Sequence, residues 1–194
     1  MATRVKGLKL PVPMLQLHIE LKEVKPKVWR RILVPETITL LKLHMVIQAA
    51  FGWTHSHLHE FIGRDGQRYG TSDPDYDAPG EVASERIRLT TAVGGGRTLH
   101  YVYDFGDSWE HRIKLEKTFA PDPQIRLPWC IDGGGATPPE DCGGAPGYED
   151  FLQAMADPHH PEHKNMAGWL GHESWDPNAF DVADVNDWLA DIKV

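Results

Sequence analysis

Apolar and polar residues alternate strictly in two stretches near the N-terminus, a pattern typical of strands that bury one face. From Met14 to Lys22 every second residue is apolar, beginning with Leu15, and the residues between are polar. The stretch from Val28 to Val34 is bracketed by two prolines and predicts a second strand. Together the two stretches predict an antiparallel pair with one polar face.

A helical period replaces this alternation after Thr39, and Thr39 is the predicted N-cap of this helix. The apolar residues that follow recur three or four positions apart, at Leu40, Leu43, Ile47 and Ala50. Gly52 predicts the end of this helix. Residues 53–63 return to an extended pattern, and the Gly-, Asp- and Pro-rich residues 64–84 predict a surface loop.

A second pair of alternating stretches lies in the middle of the chain and predicts a β-hairpin. The first runs from Leu99 to Phe105, and the second from Trp109 to Leu115. Gly106, Asp107 and Ser108 form the short connection that such a hairpin needs.

The C-terminal third changes character. Residues 121–147 are rich in Pro and Gly and predict a loop, and residues 148–194 predict three short helices. With residues 1–120 as a sheet-and-helix core, we expect one domain over residues 1–194. The fold class is α+β, a mostly antiparallel sheet in the order β-β-α-β and then a β-hairpin, with a packed helix and the three C-terminal helices.

Charge is distributed unevenly along the chain, whose net charge is −8. Residues 1–31 carry eight Lys or Arg against Glu20 and Glu23, whereas residues 140–194 carry twelve Asp or Glu against Lys164 and Lys193. A basic edge that partly attracts an acidic helical region explains this distribution. Contact with nucleic acid through the basic N-terminal segment is the alternative, although dedicated binders usually have a basic domain.

Neither targeting nor membrane insertion is indicated. The N-terminus lacks the apolar core of a signal peptide, and no run approaches the roughly 18 apolar residues of a membrane helix. Cys130 and Cys142 are too few for a disulfide scaffold. We expect a cytoplasmic protein with no membrane partner.

Long segments of the chain resemble the plasmid pRiA4b ORF-3-like family. They are YVYDFGDSWEHRIKLE, PPEDCGGAPGYEDFLQAMADPHHPEH, FDVADVN and, upstream, LHMVIQAAFGWTHSHLHEF. The resemblance implies an α+β domain and an association with plasmids or other mobile elements, without an agreed reaction. Members are also labelled transposon TnpR-like passenger proteins, but the serines here, apart from Ser84 near Arg86 and Arg88, lack the arginine cluster that a serine recombinase needs.

Three histidines at alternate positions, His55, His57 and His59, would share one face if their segment is extended. Imidazoles so arranged suit zinc or another divalent metal such as manganese. Cys130 and Cys142 would join them if the Gly/Pro-rich loop folds back. In the alternative interpretation, the histidines pack in the fold and cap the turn, and the two cysteines are unlinked thiols.

A candidate binding cleft is expected where the hairpin meets the Gly/Pro-rich loop. Carboxylates near a histidine can hold a hard cation or act as acid and base, although tight turns also favour Asp and Gly. The candidate residues are Asp104, Asp107, Trp109, His111, Glu140, Asp141, Cys142 and Tyr148.

No catalytic set is complete in the sequence, so an interaction or ligand-binding protein without enzymatic activity is the leading hypothesis, with a protein or a small ligand as its partner. A metal-dependent hydrolase, acting on nucleic acid among other substrates, is the first alternative. It would use residues such as His57, His59, Asp104, Asp107 and Glu140. A DNA-binding accessory protein is the second.

Overall fold

The computed structural model describes residues 12–70 and 81–194. Its strands are β1 (Met14–Leu21), β2 (Val28–Pro35), β3 (His59–Ile62), β4 (Arg68–Gly70), β5 (Glu81–Ala83), β6 (Thr98–Tyr103), β7 (Trp109–Phe119) and β8 (Trp129–Gly134). Its helices are α1 (Leu40–Phe51), α2 (Leu89–Ala92), α3 (Gly144–Ala156), α4 (His163–Leu170) and α5 (Val182–Leu189). A 3₁₀ turn spans Ser84–Arg86.

All eight strands join one sheet in the order β5-β4-β3-β6-β7-β1-β2-β8. Every neighbouring pair is antiparallel except β4 and β5, which are parallel. The predicted β1–β2 pair and the β6–β7 hairpin are both present. The α+β prediction with a mostly antiparallel sheet is therefore confirmed.

Helix α1 begins and ends where the sequence predicts. The Thr39 side chain accepts a hydrogen bond from the Lys42 backbone N–H, and Gly52 has the left-handed conformation that terminates helices. The apolar side chains of α1 are buried together with those of β1, including Leu17 and Ile19, in one hydrophobic core. Helix α1 therefore covers the centre of the sheet and fixes the segment that follows it.

The Gly/Pro-rich segment contains a strand that its composition did not predict. β8 pairs with β2 although it ends in two glycines. A Cβ atom at Gly133 would lie 2.5 Å from the Phe180 ring, and one at Gly134 would lie 3.0 Å from Trp29 Nε1. These glycines allow aromatic rings to approach the backbone closely, which is a use of glycine inside strands as well as in loops.

Extended structure after α1 is shorter than predicted. β3 begins only at His59, after a turn in which His55 has a φ of 59°, outside the β region. β4 and β5 lie within the segment expected to be a surface loop. Residues 71–80 of that segment are outside the described residues.

The three predicted C-terminal helices are present as α3, α4 and α5. Asp181 caps α5 by accepting a hydrogen bond from the Ala183 backbone N–H. Asn186 of this helix bonds both to the backbone N–H of Cys130 and to its carbonyl, at 2.8 and 2.9 Å, and so holds α5 against β8. None of the described helices is long and apolar enough to cross a bilayer.

Candidate metal-binding site

The turn between α1 and β3 brings histidines from three different places together. His44 lies on α1, His55 lies in the turn, and His59 is the first residue of β3. The left-handed backbone at His55 reverses the chain direction, and the Gln48 side chain accepts a hydrogen bond from the His55 backbone N–H at 2.9 Å. The three imidazoles therefore converge, and we call them the three-histidine cluster.

One nitrogen from each ring of this cluster lies within 4.8 Å of the corresponding nitrogens of the other two. His44 Nε2 contacts His55 Nδ1 directly. The rings of His44 and His59 stack with centroids 3.5 Å apart and planes tilted by 5°. His55 is exposed, so one side of the cluster faces solvent.

Two of the three imidazoles are buried, and burial shapes their chemistry. Burial, reinforced by the neighbouring imidazoles, lowers the pKa of His44 to about 2 and that of His59 to about 4. Both rings are therefore neutral at physiological pH and offer lone pairs. Neither nitrogen of His59 has a hydrogen-bond partner among the described residues.

Tyr101 and Gln48 support the cluster from beneath. The Tyr101 hydroxyl lies 2.7 Å from His44 Nδ1 and accepts a hydrogen bond from Gln48 Nε2 at 3.1 Å. Because Nδ1 of His44 is engaged there, its Nε2 is the atom turned toward His55. Outer hydrogen bonds of this kind orient ligating histidines in metal sites.

His57 points away from the other histidines of the turn. Its Nε2 lies 3.0 Å from Asp141 Oδ1 and 3.7 Å from Asp104 Oδ2. Asp104 follows the last residue of β6 at the hairpin tip, and Asp141 comes from the loop before α3. We call these three residues the His57 cluster; this cluster and the three-histidine cluster are the groups that could hold a metal among the described residues.

Glu140 ties the loop before α3 to the histidine turn. One of its carboxylate oxygens accepts hydrogen bonds from the Thr54 side chain and backbone, and the other accepts one from the Tyr103 hydroxyl at 2.5 Å. Trp53 Nε1 donates to the Pro138 carbonyl at 3.0 Å, and the Trp53 ring stacks on Tyr103. These contacts fix the loop that carries Asp141 relative to the turn that carries His57.

The other candidate residues of the hairpin have different surroundings. Asp107 accepts a hydrogen bond from the Gly143 backbone N–H and so joins the hairpin tip to the same loop. Trp109 is buried, and His111 is completely buried with its ring edge-on to Phe51 and Trp53. Burial lowers the pKa of His111 to about 3. The structure thus places these last two side chains in the core beneath the clusters.

Neither cysteine lies in either cluster. Cys130 is buried within β8, and Cys142 is half-buried beside Asp141, where burial raises the pKa of its thiol to about 12. Tyr148 is buried in the helical region, and its hydroxyl accepts a hydrogen bond from Trp175 Nε1 at 3.4 Å. The Gly/Pro-rich loop therefore contributes Glu140 and Asp141, rather than a thiolate, to this part of the molecule.

The basic N-terminal segment is only partly described, since Arg4, Lys6 and Lys9 lie outside the described residues. Arg31 pairs with Glu116 at 2.8 Å and with Asp132 at 2.9 Å. Arg30 is buried and donates hydrogen bonds to backbone carbonyls. Part of the positive charge counted in the sequence is therefore engaged within the fold.

His44 is the member of the three-histidine cluster that the sequence pattern missed. It lies next to Leu43 on the buried stripe of α1, where a histidine usually satisfies its hydrogen bonds inside the core. The signal was present, because His44 and Gln48, four positions apart, interrupt the apolar face of α1 ahead of a histidine-rich turn. Only the position of α1 against β3 shows that it meets His55 and His59.

Comparison with known proteins places the chain in a family. The model of the family "Plasmid pRiA4b ORF-3-like protein" matches residues 13–184. The chain is 41% identical over 179 residues to "Uncharacterized protein y4hQ" of Sinorhizobium fredii, which covers 91% of each chain. It also resembles the crystal structure of protein of unknown function MM3350 from Methanosarcina mazei Go1, with 34% identity, a TM-score of 0.80, and coverage of 90% of this chain and 98% of that one. The protein therefore belongs to the plasmid pRiA4b ORF-3-like family.

Proposed function

We propose that the protein binds a divalent transition-metal ion, zinc in the first instance, through His44, His55 and His59. The observation that carries the proposal is the convergence of three imidazole nitrogens within 4.8 Å of one another. Imidazole is a preferred ligand of zinc, with bonds of about 2.0–2.1 Å. Nitrogens around one tetrahedral zinc lie about 3.3 Å apart, so metal binding requires His55 Nδ1 to move away from His44 Nε2 and the His59 ring to rotate out of its stack on His44.

Burial without hydrogen bonding supports the same proposal. A buried polar atom that lacks a partner costs about 1–3 kcal/mol, and both ring nitrogens of His59 are in that condition. A metal ion bound to one of them would remove part of this cost. An imidazole that served only to fill the core would gain more by donating to a carbonyl, as His163 does to Ala154.

The hydrogen bond to Tyr101 is also suited to metal binding. When His44 Nε2 binds a metal, its proton must reside on Nδ1, which lies 2.7 Å from the Tyr101 hydroxyl and can donate to it. Gln48 links the same hydroxyl to the backbone of His55. Two of the three ligands are therefore held by one small hydrogen-bond network.

Metal analysis and calorimetry test the proposal. Purified protein, stripped with a chelator and titrated with Zn²⁺, should bind it tightly, and His59→Leu should lose one equivalent per chain. His100→Gln is the matched control, because His100 is an exposed histidine of β6 outside both clusters. Unchanged zinc stoichiometry in His59→Leu would remove the basis of the proposal.

A metal-dependent hydrolase is the second candidate function, and the open side of the cluster favours it. Catalytic zinc sites use three protein ligands and leave the fourth position to water, whereas structural sites use four protein ligands. Here three imidazoles converge and the exposed His55 leaves solvent access. A zinc-bound water in that position would be a nucleophile at neutral pH.

Zinc-loaded protein should then hydrolyse simple activated esters or phosphodiesters, for example p-nitrophenyl acetate or bis-p-nitrophenyl phosphate. The rate should fall to background in His59→Leu and persist in His100→Gln. A rate in zinc-loaded wild type no higher than that of His59→Leu would leave a metal-binding protein that does not act on these substrates.

A further inference from the structure

We propose that His57, Asp104 and Asp141 form a second and separate cation site, which takes a divalent ion that accepts mixed nitrogen and oxygen ligands. This site shares no residue with the three-histidine cluster, so it does not depend on the zinc proposal. Its three ligand atoms lie within 4.8 Å of one another. Each comes from a different segment of the chain.

The arrangement of atoms distinguishes this cluster from an ordinary ion pair. His57 Nε2 lies 3.0 Å from Asp141 Oδ1 but does not meet the geometry of a hydrogen bond, and the atom is shielded from solvent. An imidazolium paired with a carboxylate would direct its N–H at the oxygen, because charge-assisted hydrogen bonds are the strongest available to it. Ligand atoms that lie within 4.8 Å of one another, with no hydrogen bond at His57 Nε2, fit a bound cation better.

Asp104 is placed for this role at some cost. The residue is buried, and its side chain has an exposed fraction of 12%. Its Oδ1 accepts a hydrogen bond from the Gly106 backbone N–H at 2.9 Å, and its Oδ2 faces His57 Nε2 at 3.7 Å. No Lys or Arg side chain is paired with it among the described residues. A buried carboxylate requires a compensating positive charge, which a divalent ion would supply.

Loop packing holds the third ligand in place before any ion binds. The Asp107 side chain accepts a hydrogen bond from the Gly143 backbone N–H, and Glu140 is bound to Thr54 and Tyr103. A Cβ atom at Gly144 would lie 2.5 Å from the Asp107 carbonyl, so the loop approaches the hairpin as closely as backbone allows. Asp141 is therefore presented to His57 by a rigid support, as metal sites require.

The donor set indicates which ions fit. Two carboxylates and one imidazole form a set of harder Lewis bases than three imidazoles do. Carboxylates suit Mn²⁺ and Mg²⁺, whereas imidazole suits zinc and related metals. Asp141 is exposed, which leaves room for water ligands on the open side. Mn²⁺ is the probe of choice, because its electron paramagnetic resonance signal reports binding directly.

Single and combined substitutions test the site. Chelator-treated protein is titrated with Mn²⁺ by electron paramagnetic resonance and with Zn²⁺ by metal analysis, in wild type, Asp141→Asn, His59→Leu and the double variant. Asp150→Asn is the matched control, because Asp150 is an exposed aspartate of α3 outside both clusters. Circular dichroism verifies that each variant is folded.

The proposal predicts that Asp141→Asn weakens Mn²⁺ binding at least tenfold, while the zinc equivalent that His59→Leu removes is still present. Asp150→Asn should bind both ions as wild type does. If folded Asp141→Asn binds Mn²⁺ as tightly as wild type, or if wild type binds no Mn²⁺, the second site is refuted and the zinc proposal stands. Loss of Mn²⁺ in Asp141→Asn with no zinc lost in His59→Leu would instead refute the zinc proposal and retain this one.

Discussion

Replacing His59 with leucine should stabilise the metal-free protein, although His59 is a core residue with an exposed fraction of 1%. Leucine has a similar volume and no polar atoms, so the substitution removes two buried nitrogens that have no hydrogen-bond partner. Each such atom destabilises the folded protein by about 1–3 kcal/mol. Imperfect packing of leucine against His44 offsets about 1 kcal/mol or more of the stability gained by removing them. We expect the free energy of unfolding to rise by about 1–3 kcal/mol.

Thermal and urea unfolding in the presence of a chelator measure this change. For a chain of this length, 1 kcal/mol corresponds to about 2–4 °C, so Tm should rise by about 2–12 °C. Zinc should reverse the order of the two proteins. At a free concentration a thousand times Kd it stabilises wild type by about 4.1 kcal/mol through the three-histidine cluster, and His59→Leu gains none of this.

His163→Leu is the matched control for this prediction. His163 is also a buried histidine, but its Nδ1 lies 2.9 Å from the Ala154 carbonyl. Its replacement leaves that carbonyl without a partner and should destabilise the protein by about 1–3 kcal/mol. If metal-free His59→Leu is destabilised to the same extent as His163→Leu, then His59 is an ordinary core residue and the reasoning fails.

Three further predictions concern acid stability, the second site and the buried arginine. Burial lowers the pKa of His111 to about 3, against about 6.5 in the unfolded chain, so wild type should lose about 1.4 kcal/mol of stability relative to His111→Leu for each unit by which the pH falls between 6.5 and 3. A pH-independent difference in urea unfolding would contradict this. Gly147→Ala would place a Cβ atom 1.9 Å from the Cys142 carbonyl oxygen and so displace the loop that carries Asp141. This substitution should therefore weaken Mn²⁺ binding far more than zinc binding. Equal effects on the binding of both ions would count against separate sites. The Arg30 guanidinium donates hydrogen bonds to the carbonyls of Ala50, Gly134 and Gly135 and lies over the Phe51 ring. Because lysine cannot make this fork of hydrogen bonds, Arg30→Lys should lower the free energy of unfolding in urea by about 2–4 kcal/mol. A loss below about 0.5 kcal/mol would show that the guanidinium geometry is not required.

Local patterns were sufficient for the elements that form from neighbouring residues. The alternation in β1 and the Thr39 and Gly52 signals of α1 are each contained in a few consecutive positions, and the structure confirms them. β8 was missed because its glycines are explained only by rings distant in sequence, those of Trp29 and Phe180. The strand therefore depends on tertiary packing that composition does not show.

The candidate site was predictable in part for the same reason. His55, His57 and His59 were conspicuous, but their grouping on one face assumed an extended backbone, and the left-handed conformation of His55 divides them between two clusters. The fold brings Asp104 and Asp141 together from segments 37 positions apart in the chain. His44 lies in an apolar helix whose position against β3 no local pattern reveals.

Anomalous diffraction at the zinc edge, from crystals grown with Zn²⁺, would locate the bound ion in the protein. We expect a peak bounded by His44, His55 and His59, about 2.0–2.1 Å from one nitrogen of each ring. Zinc found only elsewhere, with the three imidazoles unchanged and no peak between them, would contradict it.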